Sequence, residues 1–185
     1  MKEDIINGLV DLLNEDKYED ITVKSLCKKC YISRTTFYNY YKSINEVLTE
    51  IENKVMDEMD SIYREYNYQS ILDIREDDPA PNFYEMYKYI NNHKPIFKYI
   101  YGPNCPKSYY KKTIASINQK LNILFSKYMS PNQTKEAAKI ATGFIMSSGN
   151  DLVEDNTTLT PKQLSIMLKN TIKDFIANKD IYFNK

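Results

Sequence analysis

Basic and hydrogen-bonding side chains are concentrated between residues 22 and 42. The basic residues of this stretch, which contains no acidic residue, are Lys24, Lys28, Lys29, Arg34 and Lys42. Arginine can bridge both acceptors of a guanine, asparagine can do the same with adenine, and hydroxyl groups can hold phosphates. Lysines add contacts that release counterions from a phosphate backbone. The composition therefore favours a surface that contacts DNA over an ordinary solvated charged face.

Two short helices must position these side chains. Thr22 can cap the first helix, and Ser33 can cap a second one over about 34–40 that Phe37 anchors in the core. The turn between them is very short, which is typical of a helix-turn-helix whose second helix enters the major groove. With Leu26, Cys27 and Ile32 also packed inward, the residues left to project outward are Arg34, Thr35, Tyr38, Asn39 and Tyr40.

Helical patterns continue through the rest of the chain. Apolar residues recur at helical spacing over 3–15, and Ser43 with Glu46 forms a capping box that opens a long helix to about Tyr66. Ser130-Pro131 and Thr160-Pro161 each combine a cap with proline at the first helical position, which marks the starts of the last two helices. No segment alternates with period two. We therefore predict an all-α chain.

Two domains follow from this pattern. The first is an N-terminal three-helix helix-turn-helix domain over 1–45, and the second is a C-terminal helical bundle domain over 46–185. A loop is expected from Asp73 to Pro81, because acidic residues are followed there by two prolines. The next helices are expected to begin at Asn82, at Lys94-Pro95 and near 107, the last of them running to about 128.

Bulk composition agrees with a compact helical protein. The chain has 185 residues with 25 basic and 25 acidic side chains, so its net charge of zero argues at first sight against nucleic acid. The uneven distribution of charge matters more than the sum, since residues 1–21 hold most of the nearby acids. No stretch approaches the ~20 apolar residues of a membrane helix, and no signal peptide opens the chain, which favours a cytoplasmic protein without membrane contact.

Cysteine and histidine give little support for metal or redox chemistry. Cys27-Lys28-Lys29-Cys30 has the spacing of half a zinc site or of a redox pair. A closed zinc site needs four ligands, and the remaining candidates are only the distant Cys105 and His93, so packing in the core is the favoured reading. No phosphate-binding loop or nucleophile motif is present. We expect no enzymatic activity, no cofactor and no metal.

The stretch around the second short helix resembles the TetR family of one-component regulators. That family carries an aromatic-rich junction of the type LYxYFxSKEEL after its helix-turn-helix. The matching segments here are Ile21-Thr22-Val23, then 33–43, then Glu46-Val47-Leu48, and the resemblance is specific over about 5–50. It implies a DNA-binding transcriptional regulator, expected to be a ligand-responsive homodimeric repressor, whose C-terminal domain binds a small-molecule effector and whose last two helices form the dimer.

The resemblance also implies DNA contacts by position. The implied set is Lys24, Arg34, Thr35, Thr36, Tyr38, Asn39, Tyr40 and Lys42, and Lys28 joins it as a phosphate contact because of its charge. Two positions depart from the family pattern. Tyr31 stands where the family usually has glycine in the turn, so a left-handed backbone there would be strained. Ile44 stands where the family usually has lysine, which removes one phosphate contact.

Candidates for the effector site and for the dimer interface come from the C-terminal domain. Ligand-binding candidates are Tyr87, His93, Tyr110 and Phe144, although aromatic residues at helical spacing also suit a core and His93 also suits a helix cap. Interface candidates on the last two helices are Phe144, Ile145, Leu168, Ile172 and Phe175. A rival interpretation keeps the fold but uses the C-terminal domain to recruit a protein partner in place of a small molecule.

Overall fold

Three helices and the start of a fourth form the N-terminal unit. The computed structural model describes residues 1–66 and 70–183. In this unit α1 spans Lys2–Glu15, α2 spans Val23–Lys29 and α3 spans Arg34–Tyr38. The apolar stripe of α1 turns inward against α2 and α4. The predicted helix-turn-helix is therefore present, with α3 ending two residues before the predicted end at 40.

Side-chain caps determine where α2 and α3 begin. The Thr22 hydroxyl accepts a hydrogen bond from the Ser25 backbone nitrogen at 3.1 Å, and the Ser25 hydroxyl accepts one from the Thr22 nitrogen at 2.9 Å. Ser33 accepts from the Thr36 nitrogen at 3.0 Å. Each bond satisfies a backbone donor that has no partner inside its helix. Both predicted caps are thus confirmed.

Close packing joins α1 to α2. Gly8 of α1 lies against the Cys30 sulfur, and a Cβ atom at Gly8 would come within 2.3 Å of that sulfur. Cys27 is buried in the same core, beside the fully buried Leu26 and Phe37. The cysteines therefore take part in core packing, and the described residues include no group of three or more His, Cys, Asp or Glu side chains placed to hold a metal ion.

Helix α4 is shared by the two units. It spans Ile44–Tyr66, so the predicted domain boundary after residue 45 falls inside its first turn. Near its start, Glu50 forms an ion pair with Lys2 of α1 at 3.2 Å. Further along, its apolar side chains face α5 and α7. A single continuous helix therefore connects the DNA-binding unit to the C-terminal domain.

The described residues of the C-terminal domain form six further α-helices. They are α5 (Pro81–Asn92), α6 (Lys94–Tyr101), α7 (Lys107–Phe125), α8 (Pro131–Val153), α9 (Pro161–Ala177) and the short α10 (Lys179–Tyr182). The predicted capping boxes of α8 and α9 are present at Ser130 and Thr160. Two of these boundaries differ from prediction, since α5 begins one residue early and α7 ends three residues early, and the short α10 is not predicted. No strand occurs in the described residues, which confirms the all-α class.

A buried lysine holds the predicted acidic loop against α9. The Lys169 side chain is fully buried, and its ammonium group donates hydrogen bonds to the backbone carbonyls of Arg75, Glu76 (2.8 Å) and Asp78 (2.6 Å). Burial lowers the pKa of Lys169. These bonds hold the loop before α5 against α9. Within 1–66 and 70–183, no helix is both long enough and apolar enough to cross a membrane.

Candidate DNA-binding surface and internal cavity

The outward face of α3 and of the turn after it carries the predicted base-reading side chains. Phe37 is fully buried and fixes this face, because its ring packs edge-on against Tyr38 and lies near Tyr41 in the core. We call the exposed residues around it the recognition surface, and they are Arg34, Thr35, Tyr38, Asn39 and Tyr40. Arginine, asparagine and hydroxyl side chains therefore lie exposed together on α3 and the turn after it. Side chains of these types make hydrogen bonds to bases and phosphates.

The positive charges next to the recognition surface are not neutralised. Lys24, Lys28, Arg34 and Lys42 are exposed, and none of them forms an ion pair with an acid among the residues the structure describes. Lys29 differs, because its ammonium group lies 3.1 Å from Glu15 and 3.7 Å from Asp11 of α1. Asp11 and Glu15 of α1 are thus paired with Lys29, and the four unpaired cations remain available to phosphates.

Thr36 lies at the edge of this surface and has a different role. Its hydroxyl lies 2.8 Å from the Ser33 hydroxyl, and its backbone nitrogen donates to the same atom. Both groups are used in the cap of α3. Of the predicted DNA-contact set, Thr36 is therefore a residue that holds the recognition helix in place.

The turn between α2 and α3 places Tyr31 in the left-handed region. Its φ angle is 54°, and its side chain is 97% exposed. The backbone nitrogen of Ile32 closes this turn by donating to the Cys27 carbonyl at 2.9 Å. A residue with a Cβ atom is strained in this conformation, which suits glycine. The helix-turn-helix geometry therefore forms despite the tyrosine, because the flanking caps and core residues hold it.

A partly enclosed, mainly apolar space lies between helices α4 to α8. This internal cavity has a volume of about 90 Å³. Its principal lining residues are Val55, Met59, Phe83, Met86, Phe97, Ile100, Tyr101, Tyr109, Ile117, Leu121 and Ile145. Walls of this kind exclude water and hold the apolar part of a ligand. None of these residues was predicted as ligand-binding.

The polar groups at one end of the cavity are already paired. Lys120 forms an ion pair with Asp60 of α4 at 2.6 Å and donates to the Ser116 hydroxyl at 2.6 Å. Its ammonium group also lies 5.7 Å from the centre of the Tyr63 ring. Because the charge of Lys120 is balanced by Asp60, a charged ligand group would find no unpaired opposite charge at this end.

The four predicted ligand-binding residues lie outside the internal cavity. Tyr87 is fully buried between α5 and α8, where its hydroxyl lies 2.6 Å from the Ser148 hydroxyl. The His93 ring closes the end of α5, and its Nδ1 donates to the Tyr89 carbonyl at 2.8 Å. Tyr110 and Phe144 lie at the surface. The predicted residues therefore do not line this cavity, because helical spacing identifies inward positions without saying which of them border a void.

Three predicted interface residues lie in the core of the chain itself. Ile145, Leu168 and Ile172 have at most 2% of their surface exposed, and Ile145 lines the internal cavity. A side chain without exposed surface cannot contact a second copy, so this part of the prediction is wrong. Phe175 is partly buried, and its ring packs against Phe125 and the aromatic residues at the chain's end.

A different face of α8 and α9 carries exposed apolar side chains. Ile140 of α8 is 52% exposed, and Met167 of α9 is 44% exposed. Phe144, also predicted for the interface, is partly exposed and lines a shallow depression with Leu159 and Met167. We call Ile140, Phe144 and Met167 the α8–α9 face.

Helix α6 and the residues after it connect the internal cavity to α1. The Asn14 amide of α1 donates to the Pro95 carbonyl at 2.9 Å. Beyond the end of α6, the Asn104 amide donates to the carbonyls of Leu13 (3.2 Å) and Asp16 (3.0 Å) at the end of α1. Because α6 also supplies cavity-lining residues, one rigid element contacts both the cavity and the DNA-binding unit.

A second connection runs through α4. The hydroxyl of Tyr109, which lines the cavity, donates to the backbone carbonyl of Glu52 at 3.2 Å. The Glu52 carboxylate lies at the limit of hydrogen-bonding distance from the Tyr99 hydroxyl of α6, at 3.5 Å. Burial raises the pKa of Glu52. Sequence reasoning missed this cluster, because a lone glutamate on a long helix carries no signal of what packs against it.

Comparison with known proteins agrees with the helix-turn-helix and with the architecture. The family profile of the Mga helix-turn-helix domain matches residues 9–62, which is less than a third of the chain. No curated protein matches the sequence. Among solved structures, a TetR-like transcriptional regulator from Rhodococcus sp. RHA1 superimposes with a TM-score of 0.76 at 10% identity, covering 95% of this chain and 94% of that chain.

Two further solved structures resemble the chain less closely. FadR of Thermus thermophilus, a TetR family repressor in complex with lauroyl-CoA, has a TM-score of 0.53 at 11% identity and covers 97% and 94% of the two chains. The dihydroxyacetone kinase operon activator DhaS has a TM-score of 0.50 at 14% identity, with 99% and 98% coverage. These neighbours are regulators of transcription. The chain therefore has the fold of the TetR-like transcriptional regulators, with an N-terminal helix-turn-helix domain and a helical C-terminal domain.

Proposed function

We propose that this chain is a homodimeric, DNA-binding regulator of transcription whose operator affinity changes when a small molecule occupies its C-terminal domain. The observation that carries the proposal is the recognition surface, where Arg34 and Asn39 are exposed on a capped helix beside unpaired lysines. Arginine and asparagine are the side chains that read guanine and adenine in the major groove. Lysines beside them supply the affinity that does not depend on sequence.

Dimerisation is supported by the α8–α9 face. Contiguous exposed apolar residues on a small domain mark an interaction surface. Pairing of this face with its copy about a two-fold axis would form a four-helix bundle. Such a dimer presents two recognition helices to half-sites about 34 Å apart, which a monomer cannot reach.

Effector control is supported by the internal cavity and by the position of α6. The residues that a molecule enlarging the cavity would contact include those of α6 and Tyr109. Their movement would alter the Asn14 and Asn104 bonds to the DNA-binding unit and the Tyr109 bond to α4. Such control requires that the effector bind one position of these residues more tightly than the other, because only a difference in affinity shifts the equilibrium between them. A lauroyl-CoA ligand in the FadR complex is consistent with an effector site in this fold.

The partly enclosed apolar cavity favours a small molecule over the rival function, recruitment of a protein partner through the C-terminal domain. A partner site would need an exposed apolar surface besides the one proposed for the dimer. The fold itself leaves the direction of regulation open, since FadR is a repressor and DhaS an activator.

Selection of bound duplexes from a random pool, followed by titration, tests the proposed function. We expect a pseudo-palindromic site, and Arg34→Ala and Asn39→Ala should each lower affinity for it by about 1–3 kcal/mol with little change on random DNA. Arg75→Ala, which removes an equally exposed arginine from the C-terminal domain, is the control. Failure to enrich any site, or equal losses on specific and random duplexes, would contradict base reading by this surface.

A salt titration separates phosphate contacts from base contacts. Lys28→Ala and Lys42→Ala should weaken specific and random binding alike and reduce the slope of log affinity against log salt by about one unit each. Lys29 is already paired with acids of α1, so Lys29→Ala should change the slope less. Unchanged slopes for Lys28 and Lys42 would remove them from the interface.

A further inference from the structure

The Tyr101 side chain separates the internal cavity from an open groove on the molecular surface. The groove lies between α7 and α8 and has a volume of about 580 Å³. We call it the α7–α8 groove, and its polar lining residues are Tyr110, Asn118, Lys139, Thr142, Ser147 and Asn150. Tyr101 lines both the groove and the internal cavity. The two spaces therefore share one wall, which a single aromatic ring forms.

The Tyr101 hydroxyl is held at this wall without a hydrogen-bond partner. Its ring packs against Phe97 at 5.9 Å, and its hydroxyl lies where Gly149 has no side chain, since a Cβ atom there would come within 2.4 Å. No group in the described part of the chain hydrogen-bonds to this hydroxyl. Burial raises the pKa of Tyr101, so the hydroxyl stays protonated and can donate. Tyr101 is partly buried and lines the groove, so its hydroxyl is available to donate to a ligand atom there.

The two compartments differ sharply in chemistry. The internal cavity has apolar walls, and its single cation, Lys120, is paired with Asp60. The groove is lined by amide and hydroxyl groups together with Lys139, and no acidic side chain lines it. Lys139 is exposed and has no ion pair within the described residues. An anion would therefore be attracted to the groove and an apolar group to the cavity.

We propose that the internal cavity and the α7–α8 groove form one binding site for an amphiphilic anion, with the apolar chain in the cavity and the anionic head group in the groove. This inference rests on the effector role proposed above and names its ligand class. The Tyr101 hydroxyl donates to the head group, and Lys139 supplies the charge. Entry requires the Tyr101 ring to move aside, and methionines that line the cavity adapt to the length of the chain.

Calorimetric titration of the full chain, without DNA, tests this site with three probes that share one tail: octanoate, 1-octanol and octylammonium. We expect saturable binding of one octanoate per chain, about tenfold tighter than octanol, with octylammonium weakest. Lys139→Gln should remove the preference for octanoate over octanol. Tyr101→Phe, which keeps the ring, should weaken octanoate about fivefold. Lys135→Gln, one turn earlier on α8 and outside the groove, should leave all affinities unchanged.

A variant inside the cavity tests the placement of the tail. Ile117→Phe fills space among the lining residues and should weaken all three probes to a similar extent. Equal affinity for the three head groups, an effect of Lys135→Gln as large as that of Lys139→Gln, or the absence of saturable octanoate binding would overturn the inference. Operator titration of the same preparation distinguishes this failure from failure of the proposed function, since DNA binding without octanoate binding contradicts only the ligand class.

Discussion

At the scale of single residues, Tyr31 is a strained position that packing does not compensate. Its left-handed φ angle costs energy for any residue with a Cβ atom, and its exposed ring gains no burial. Tyr31→Gly should therefore raise the free energy of unfolding by about 0.5–1 kcal/mol, or about 2–3 °C in Tm. Thermal unfolding measures this change.

The matched control for this position is Tyr31→Ala. Alanine keeps the Cβ atom and the strain, so this variant should not be stabilised. Greater stabilisation by alanine than by glycine would show that the tyrosine ring, and not the backbone, is the unfavourable element.

The half-buried Glu52 should make the free energy of unfolding depend on pH. Its pKa is raised by burial, while the hydrogen bond from Tyr99 and the Lys112 charge act in the opposite direction. The folded state therefore binds the proton more tightly than the unfolded state does. The resulting stability is complete below the ordinary carboxyl pKa and is lost as pH rises through the raised value.

Glu52→Gln should consequently be more stable than the wild type at pH 7 to 8, and the difference should shrink toward zero near pH 4. Melting curves across this range test it, with the exposed Glu58→Gln on the same helix as control. A difference that stays constant with pH would mean that ionisation of Glu52 is not involved.

At the scale of helices, the recognition helix depends on its cap more than longer helices do. Helix α3 has only 5 residues, and Ser33 satisfies the Thr36 nitrogen at its start. Ser33→Ala should lower stability by about 1 kcal/mol and also lower operator affinity, because α3 frays at the end that carries Arg34. Chemical denaturation and operator titration on one sample give both values.

Thr160→Ala removes an equivalent cap from α9, which is far from the recognition surface in the chain. It should cost similar stability without a matching loss of DNA affinity. Equal losses of DNA affinity in the two variants would show that general destabilisation, and not the order of α3, controls binding.

For the molecule as a whole, burial distinguishes apolar residues of the chain's own core from exposed ones that can contact a second copy. Ile140→Glu and Met167→Glu place a charge on the exposed α8–α9 face and should yield folded monomers that bind operator much more weakly. Leu168→Glu buries a charge in the chain's own core, costs several kcal/mol, and should unfold the protein.

Light scattering combined with circular dichroism separates these outcomes. Ile123→Glu, on an exposed position of α7, is the control and should remain dimeric. A folded dimer of Met167→Glu with wild-type operator affinity would place the interface elsewhere.

Features that depend on local interactions could be predicted from the amino-acid sequence. Thr22, Ser33, Ser130 and Thr160 were identifiable as caps because a capping hydrogen bond spans only three residues. The helix-turn-helix and the outward face of α3 followed from those caps and from Phe37. The short α10 escaped prediction, because its helix lacks a capping side chain and its packing depends on α9.

Whether an apolar residue faces the core, the cavity or the outside depends on packing between helices, which the sequence pattern does not reveal. Periodicity placed Leu168 and Ile172 on one stripe of α9, but that stripe turns toward the chain's own helices, whereas the neighbouring Met167 remains exposed. The cavity between α4 and α8 and the shared wall at Tyr101 likewise arise where five helices meet. The helical pattern predicts which side of a helix is apolar. Which element covers that side depends on packing between residues far apart in the chain.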